Sequence, residues 1–271
     1  MIIRLSGADF SANNIGTIQL IKEVTQETRD LLANYSRTFT KSQMLAVQDF
    51  IDGLKSEGIW SHIENLYIPA LAGDLSETLF DVKGGVVDAN PSADAYDIDT
   101  HGLHRVDGAS ASVVAKTKVN GSFCNFHMAM FLSRFDVDSE QTRFNTLYDG
   151  GNVIFRPSVW GGSSITQTNS ESTNMGYDLP NSGDARGFYG FGYGTDNNFT
   201  VYNGVKKGKS DTPFSTDTTI SNVNMYIGTD INGASKNVFS QALISTGSNM
   251  GADMMITYSN LVNTLMAALI N

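Results

Sequence analysis

Between residues 101 and 245 the chain is a succession of short apolar or alternating segments divided by turn residues, and this rhythm limits its fold more than any other feature. Ser112 to Val119 alternates, Phe123 to Phe135 is an apolar run long enough for a buried strand, and Val153 to Val159 follows. Phe188 to Tyr193 is apolar but punctuated by glycine. Phe199 to Lys206 (FTVYNGVK) places two short strands around Asn203-Gly204, the pair that suits a type I′ hairpin turn. Asn224 to Asp230 and Phe239 to Ser245 are further strands. Strands this close, with no helical pattern between them, exclude alternating βα units and predict an antiparallel β-sandwich. Composition agrees: charged residues are 17% and there are 26 glycines, a mixture for strands and turns rather than a helical bundle. Residues 161–182 are polar and low in complexity, and are expected to form a surface insertion.

Two amphipathic helices are predicted to flank the strands. Thr40 and Gln43 have the spacing of a capping box, and Phe39 with Met44 that of a hydrophobic staple. Met44, Val47, Ile51 and Leu54, widened by Phe50, then make one apolar face, and Gly58 supplies a stop, so the helix covers about residues 41–57. Residues 59–71 (IWSHIENLYIPAL) contain a short helical turn and a strand, Leu66 to Leu71, that Pro69 marks as an edge or a bulge. At the far end Met254, Tyr258, Leu261, Leu265 and Leu269, with Val262 and Ala268, form a second stripe over Asp253 to Ile270. The two helices are expected to pack together at one edge of the sandwich.

Ahead of this body, Ile2 to Leu5 reads as a short strand, and Ile21, Val24, Thr28, Leu31 and Tyr35 form a helical stripe too short for a coiled coil. The chain therefore divides into an attachment or oligomerisation segment, 1–36, and a sandwich domain with its helices, 37–271. The formal net charge of -10 leaves no basic patch for phosphates, so nucleic acid is not an expected partner. The single cysteine, Cys124, excludes an intramolecular disulfide. Arg4 interrupts an already short apolar run, which is no signal peptide, and the polar residues among the last eighteen argue against a membrane span.

The opening helix with GLKSEGIWSHIENLYIPALAG, the strand-turn-strand FTVYNGVK, the strand NVNMYIGTD and the closing amphipathic helix together resemble a group of bacteriophage virion proteins. Those proteins carry a concanavalin A-like (LamG-like) jelly-roll domain, and the similarity covers roughly residues 37–271. The start, RLSGADFSANNIG, resembles the opening of virion proteins from phages of Bacteroides-type gut bacteria. The resemblance implies a structural, non-enzymatic protein on the virion surface, in a head fibre, a capsid decoration or a tail fibre. It implies homo-oligomers, dimer or trimer, with other virion proteins as neighbours. The protein would be made in the host cytoplasm. No catalytic residue set, cofactor or metal comes with the resemblance. Binding of a host glycan is the alternative within the same setting.

Several residue groups are of types that carry chemistry. Asp136, Asp138 and Glu140 would share one face of a strand, as the carboxylates of a jelly-roll glycan hydrolase require, although polar residues follow where strand should continue. Asp97, Asp99, His101, His104 and Asp107 are metal-ligand types without a known ligand spacing. Cys124 and His127 would point to opposite faces of a strand and cannot act together. GFYGFGYG at 187–194 lacks the lysine and helix of a phosphate loop. Its aromatics Phe188, Tyr189 and Tyr193 would meet a glycan where exposed, or fill the sandwich core where not.

Overall fold

The computed structural model describes residues 22–91 and 239–270 without a break and, between them, the strands given below with their adjoining turns. Ile2–Leu5, Asp107, Cys124, Asp136, Asp138 and Glu140 lie outside the described residues. Three α-helices are described: α1 (Gln26–Leu32), α2 (Lys41–Ser56) and α3 (Ala252–Ile270). The strands are β1 (Ile63–Tyr67), β2 (Phe80–Asp81), β3 (Val86–Val87), β4 (Tyr96–Asp99), β5 (Gly102–Arg105), β6 (Val113–Lys116), β7 (Gly121–Ser122), β8 (Asn125–Phe135), β9 (Thr142–Arg143) and β10 (Asn145–Asp149). They continue as β11 (Asn152–Trp160), β12 (Ser163–Gln167), β13 (Tyr177–Asp178), β14 (Gly187–Gly194), β15 (Asn198–Tyr202), β16 (Val205–Ser210), β17 (Thr219–Ile220), β18 (Asn224–Ile227) and β19 (Phe239–Gly247).

These strands build an antiparallel sandwich of the jelly-roll type. The larger sheet runs β16-β15-β14-β8-β19-β1-β2-β3, with β5 also pairing to β19 and β4 to β5. The smaller runs β13-β12-β11-β10-β18-β6, with β9 on β11. The Tyr96 hydroxyl on β4 donates to the Ile227 carbonyl on β18 at 2.7 Å, tying one sheet to the other. The centre of the larger sheet is buried on both faces. Ala129, Phe188, Val201 and Leu243 join a core shared with α2 and α3. Their alternate neighbours Met128, Met130, Tyr189 and Phe191 are equally buried on the opposite face. A strand buried on both faces reads as a continuous apolar run, which is why β8 shows no alternation.

α2 forms as its sequence dictates. The Thr40 hydroxyl accepts from the Gln43 N–H, and Gln43 reaches back to the Thr40 N–H. Val47, Phe50, Ile51 and Leu54 are its buried apolar residues. The Phe50 ring stacks on Tyr258 of α3 at 6.4 Å, so the two helices do pack together. They lie across the outer face of the larger sheet rather than at its edge, with α3 packed on β14 and β15. That close approach needs Gly190: a Cβ there would come within 2.4 Å of the Met255 sulfur. The α3 stripe is also turned from the expected one. Met255, Val262 and Met266 are buried with Tyr258, Leu265 and Leu269, while Met254 and Leu261 are half-exposed. Apolar residues lie nearly all round this helix, so the sequence alone leaves its rotation open.

Three other expectations change. Residues 161–182 contain β12 and β13, paired to β11 and to each other, and are not simply an insertion. The strand expected over Leu66 to Leu71 is β1, which ends at Tyr67 and gives way to a 3-10 turn at Pro69–Leu71, where proline has no N–H to donate. The first helix is one short piece, α1. Val24, Thr28, Leu32 and Tyr35 are buried, and the Thr25 N–H donates to Gln48 of α2 at 2.8 Å. Lys22–Asp49, Lys41–Glu23 and Lys55–Glu27 ion pairs add exposed links between that stretch and α2. Each such pair is worth at most about 1 kcal/mol.

Candidate functional site

A cleft of about 560 Å³ opens between the C-terminal half of α3, the end of β8 and the two turns β4–β5 and β15–β16. Its polar groups come from His101, Ser133, Arg186, Asn203 and Asn263, and its apolar floor from Phe131, Leu132, Met266, Ala267 and Ile270. The volume lies in the ordinary range for a small-molecule site.

Each wall is fixed by local chemistry. The β15–β16 hairpin turns at Asn203 and Gly204 with φ of 45° and 78°, the left-handed pair of a type I′ turn. The Asn203 side chain bridges to the strand opposite: its Oδ1 accepts from the Phe188 N–H at 2.7 Å, and its Nδ2 donates to the Arg186 carbonyl at 3.4 Å. The Tyr202 hydroxyl donates to the same carbonyl at 2.9 Å. Gly187 makes room for this. Its φ is 127°, and a Cβ would fall 2.1 Å from Asn203 Oδ1. The backbone of Arg186 is thus held at the lip of the cleft while its side chain stands exposed.

On the opposite side, Asp99 accepts from the His101 N–H at 2.7 Å and shapes the β4–β5 turn. Gly102 presses that turn onto β19, since a Cβ would meet the Gln241 carbonyl at 2.3 Å. Ser133 donates toward the carbonyls of His101 and Ser240, which occupies its hydroxyl with the scaffold. His101 Nδ1 is buried without a hydrogen-bond partner. The third wall is the end of α3, where Arg37 donates to the Leu269 carbonyl at 3.3 Å and to Ala70.

The glycine-rich aromatic strand does not contribute the contacts expected of it. Phe188 and Tyr189 are fully buried, Phe188 edge-on to Tyr258 at 5.4 Å and Tyr189 against Tyr202 at 4.9 Å. Both fill the core, one on each face of the larger sheet. Tyr193, on the same strand, lies outside the described side chains. The aromatic that faces the cleft is Phe131, which sits inside an unbroken apolar run and carries no signal of exposure in the sequence. Of the metal-ligand types, Asp97 bonds the Ile98 N–H and His104 bonds Ser240 Oγ at 3.0 Å. Among the described residues no three or more His, Cys, Asp or Glu gather as a ligand set. No described helix is long and apolar enough to cross a membrane.

No family model and no curated protein matches the chain. Solved structures do. Trypanosoma rangeli sialidase, in complex with 2,3-difluorosialic acid, aligns with a TM-score of 0.55 and 10% identity over 82% of this chain and 40% of its own. The botulinum neurotoxin serotype G binding domain aligns with a TM-score of 0.57 and 13% identity, over 74% and 51%. The binding domain of Paraclostridial Mosquitocidal Protein 1 aligns with a TM-score of 0.55 and 7% identity, over 73% and 51%. The chain therefore spans about half or less of each of these structures. At such identities the likeness is one of fold, a β-sandwich. It also corrects one expectation. The expectation of a non-enzymatic protein, drawn from a resemblance that brings no catalytic set, is withdrawn, because this fold is shared with sialidases.

Proposed function

We propose that the chain is a surface protein of a bacteriophage particle that binds host-surface carbohydrate through its β-sandwich. The cleft carries the binding part of this reading. It is concave, mixes hydrogen-bonding groups with an apolar floor, and is built on paired strands and a docked helix that hold it open without reorganisation. Phe131 offers an aromatic surface for the C–H face of a sugar, and Asn263 offers an amide for its hydroxyls. The sandwich shared with toxin binding domains, among them the receptor binding domain of botulinum neurotoxin D, supports a recognition role. The phage setting rests on the sequence resemblance of residues 37–271 and of RLSGADFSANNIG. Within it, residues 1–36 attach the domain 37–271 to the particle and to further copies of the chain, in a fibre or capsid decoration assembled in the host cytoplasm.

A glycan array probed with the purified chain and with Asn263→Trp tests the reading. Asn263 is only half-buried on α3, so the larger ring fills the cleft and leaves the core alone. The wild-type chain is expected to retain a defined set of glycans that the filled variant loses. Retention of no glycan, or equal retention by both proteins, would refute it. Peptides of the chain in purified virions would support the particle setting, and their absence would remove it.

A further inference from the structure

We propose that this cleft takes a sugar bearing an acetamido group, with the amide on Asn263 and the methyl group against Met266 and Ile270. The inference rests on the carbohydrate reading above and adds the class of sugar. The apolar lining stands on two walls. Phe131 belongs to β8, whereas Met266, Ala267 and Ile270 belong to α3. A hexose ring has a C–H face that suits an aromatic side chain, and its rim is hydroxyls. With that face on Phe131, the α3 wall would meet hydroxyls that its aliphatic side chains cannot bond, and a polar group taken from water without a partner opposes binding. A ligand that carries a methyl group besides its ring face covers both walls.

The order of residues on α3 names the methyl group. Asn263, Met266, Ala267 and Ile270 stand at positions i, i+3, i+4 and i+7, a single face of the helix. The side-chain amide therefore lies one turn before the apolar contacts and on the same wall. An acetamido group has the same sequence of parts: an N–H and a carbonyl next to the ring, then the methyl. Asn263 Oδ1 can accept from that N–H while its Nδ2 donates to that carbonyl. The methyl of a 6-deoxy sugar brings no amide with it and leaves Asn263 without this pair of bonds. The wall is also set in advance. The Tyr258 hydroxyl of α3 donates to Ser245 Oγ of β19 at 2.9 Å, and Arg37 donates to the Leu269 carbonyl at 3.3 Å. The spacing between amide and apolar contacts is thus fixed before a ligand arrives, which lowers the ordering cost of binding.

Equilibrium binding of matched neutral oligosaccharides tests this. The members of each pair differ only in an acetamido group or a hydroxyl at C2, on a glucose or a galactose unit, and an N-formyl analogue keeps the amide without the methyl. The acetamido sugar is expected to bind at least tenfold tighter than the hydroxyl sugar, with the N-formyl sugar between them. Asn263→Leu keeps the size of the side chain and is expected to remove most of the preference. Thr264→Leu, one residue on and exposed, is expected to keep it. Equal binding within every pair, or tighter binding of 6-deoxy sugars than of acetamido sugars, would overturn the inference. So would an acetamido preference that survives Asn263→Leu or is lost in Thr264→Leu. The glycan array separates the two failures. Retained glycans that all lack an acetamido group would overturn the class of sugar and leave carbohydrate binding in place, whereas an array with nothing retained would overturn both.

Discussion

His127 lies where β8 meets β19, fully buried, its Nδ1 donating to the Ser248 carbonyl at 2.7 Å and its Nε2 without a partner. Burial pulls its pKa down to about 4, the Ser248 bond opposes this, and His62 nearby adds to it. The unfolded chain therefore binds more protons at this site than the folded one between about pH 6.5 and pH 4. The folded state holds the full benefit above about pH 6.5 and loses it as the pH falls through that window, by about 3 kcal/mol at most. Denaturant unfolding at pH 7 and pH 4.5 should show a loss in the wild-type chain that His127→Gln reduces; the same pH dependence in both would remove His127 as the cause. Gly187 makes the second residue-scale case. Gly187→Ala puts a Cβ onto Asn203 at a φ of 127°, and is expected to cost roughly 2 kcal/mol and to weaken carbohydrate binding by displacing Arg186. A variant with unchanged melting and unchanged affinity would contradict that. Neither effect is visible in the sequence, where His127 is one residue of an apolar run and Gly187 one of several glycines.

At the scale of elements, the two long helices act as one clasp. Phe50 of α2 is 2% exposed and stacks on Tyr258, which in turn donates to Ser245 of β19 at 2.9 Å. Phe50→Ala is expected to destabilise the whole body by about 3–5 kcal/mol, because the space between helix and helix cannot close. Melting within a degree of wild type would show that α2 is dispensable to the body. Gly190→Val should act on the same clasp from below by wedging α3 away from β14. Near-ultraviolet circular dichroism of the Tyr258 environment would report it, and an unaltered spectrum would count against the close approach. The existence of α2 was legible in sequence because a capping box, a staple and a one-sided stripe agree. The rotation of α3 was not, because a helix apolar on most sides buries whichever stripe its neighbours fit. β12 was missed because a strand of Ser, Thr and Gln with one isoleucine has the composition of a loop, and its pairing with β11 decides the matter.

Across the molecule, the first and last parts of the body are joined in a single sheet: β1 pairs antiparallel with β19, Tyr67 opposite Ile244. The sandwich was legible from the spacing of strands and turns, and the Asn203-Gly204 hairpin from its dipeptide. The cleft was not. Its walls come from the β4–β5 turn, β8, the start of β14, the hairpin turn and the end of α3, segments that only the sheet order brings together. His101 stands out in the sequence only as a metal-ligand type, and Phe131, Arg186 and Asn263 do not differ from their neighbourhoods. The central claim is that carbohydrate binds at this junction, and methyl resonances test it directly. With methionine methyl groups labelled, titration with an oligosaccharide that the chain retains on the glycan array should move the signal of Met266, which lines the cleft. Met225, buried on β18 in the smaller sheet, should stay in place. A shift confined to Met225, or a saturating titration that leaves Met266 unmoved, would contradict the account.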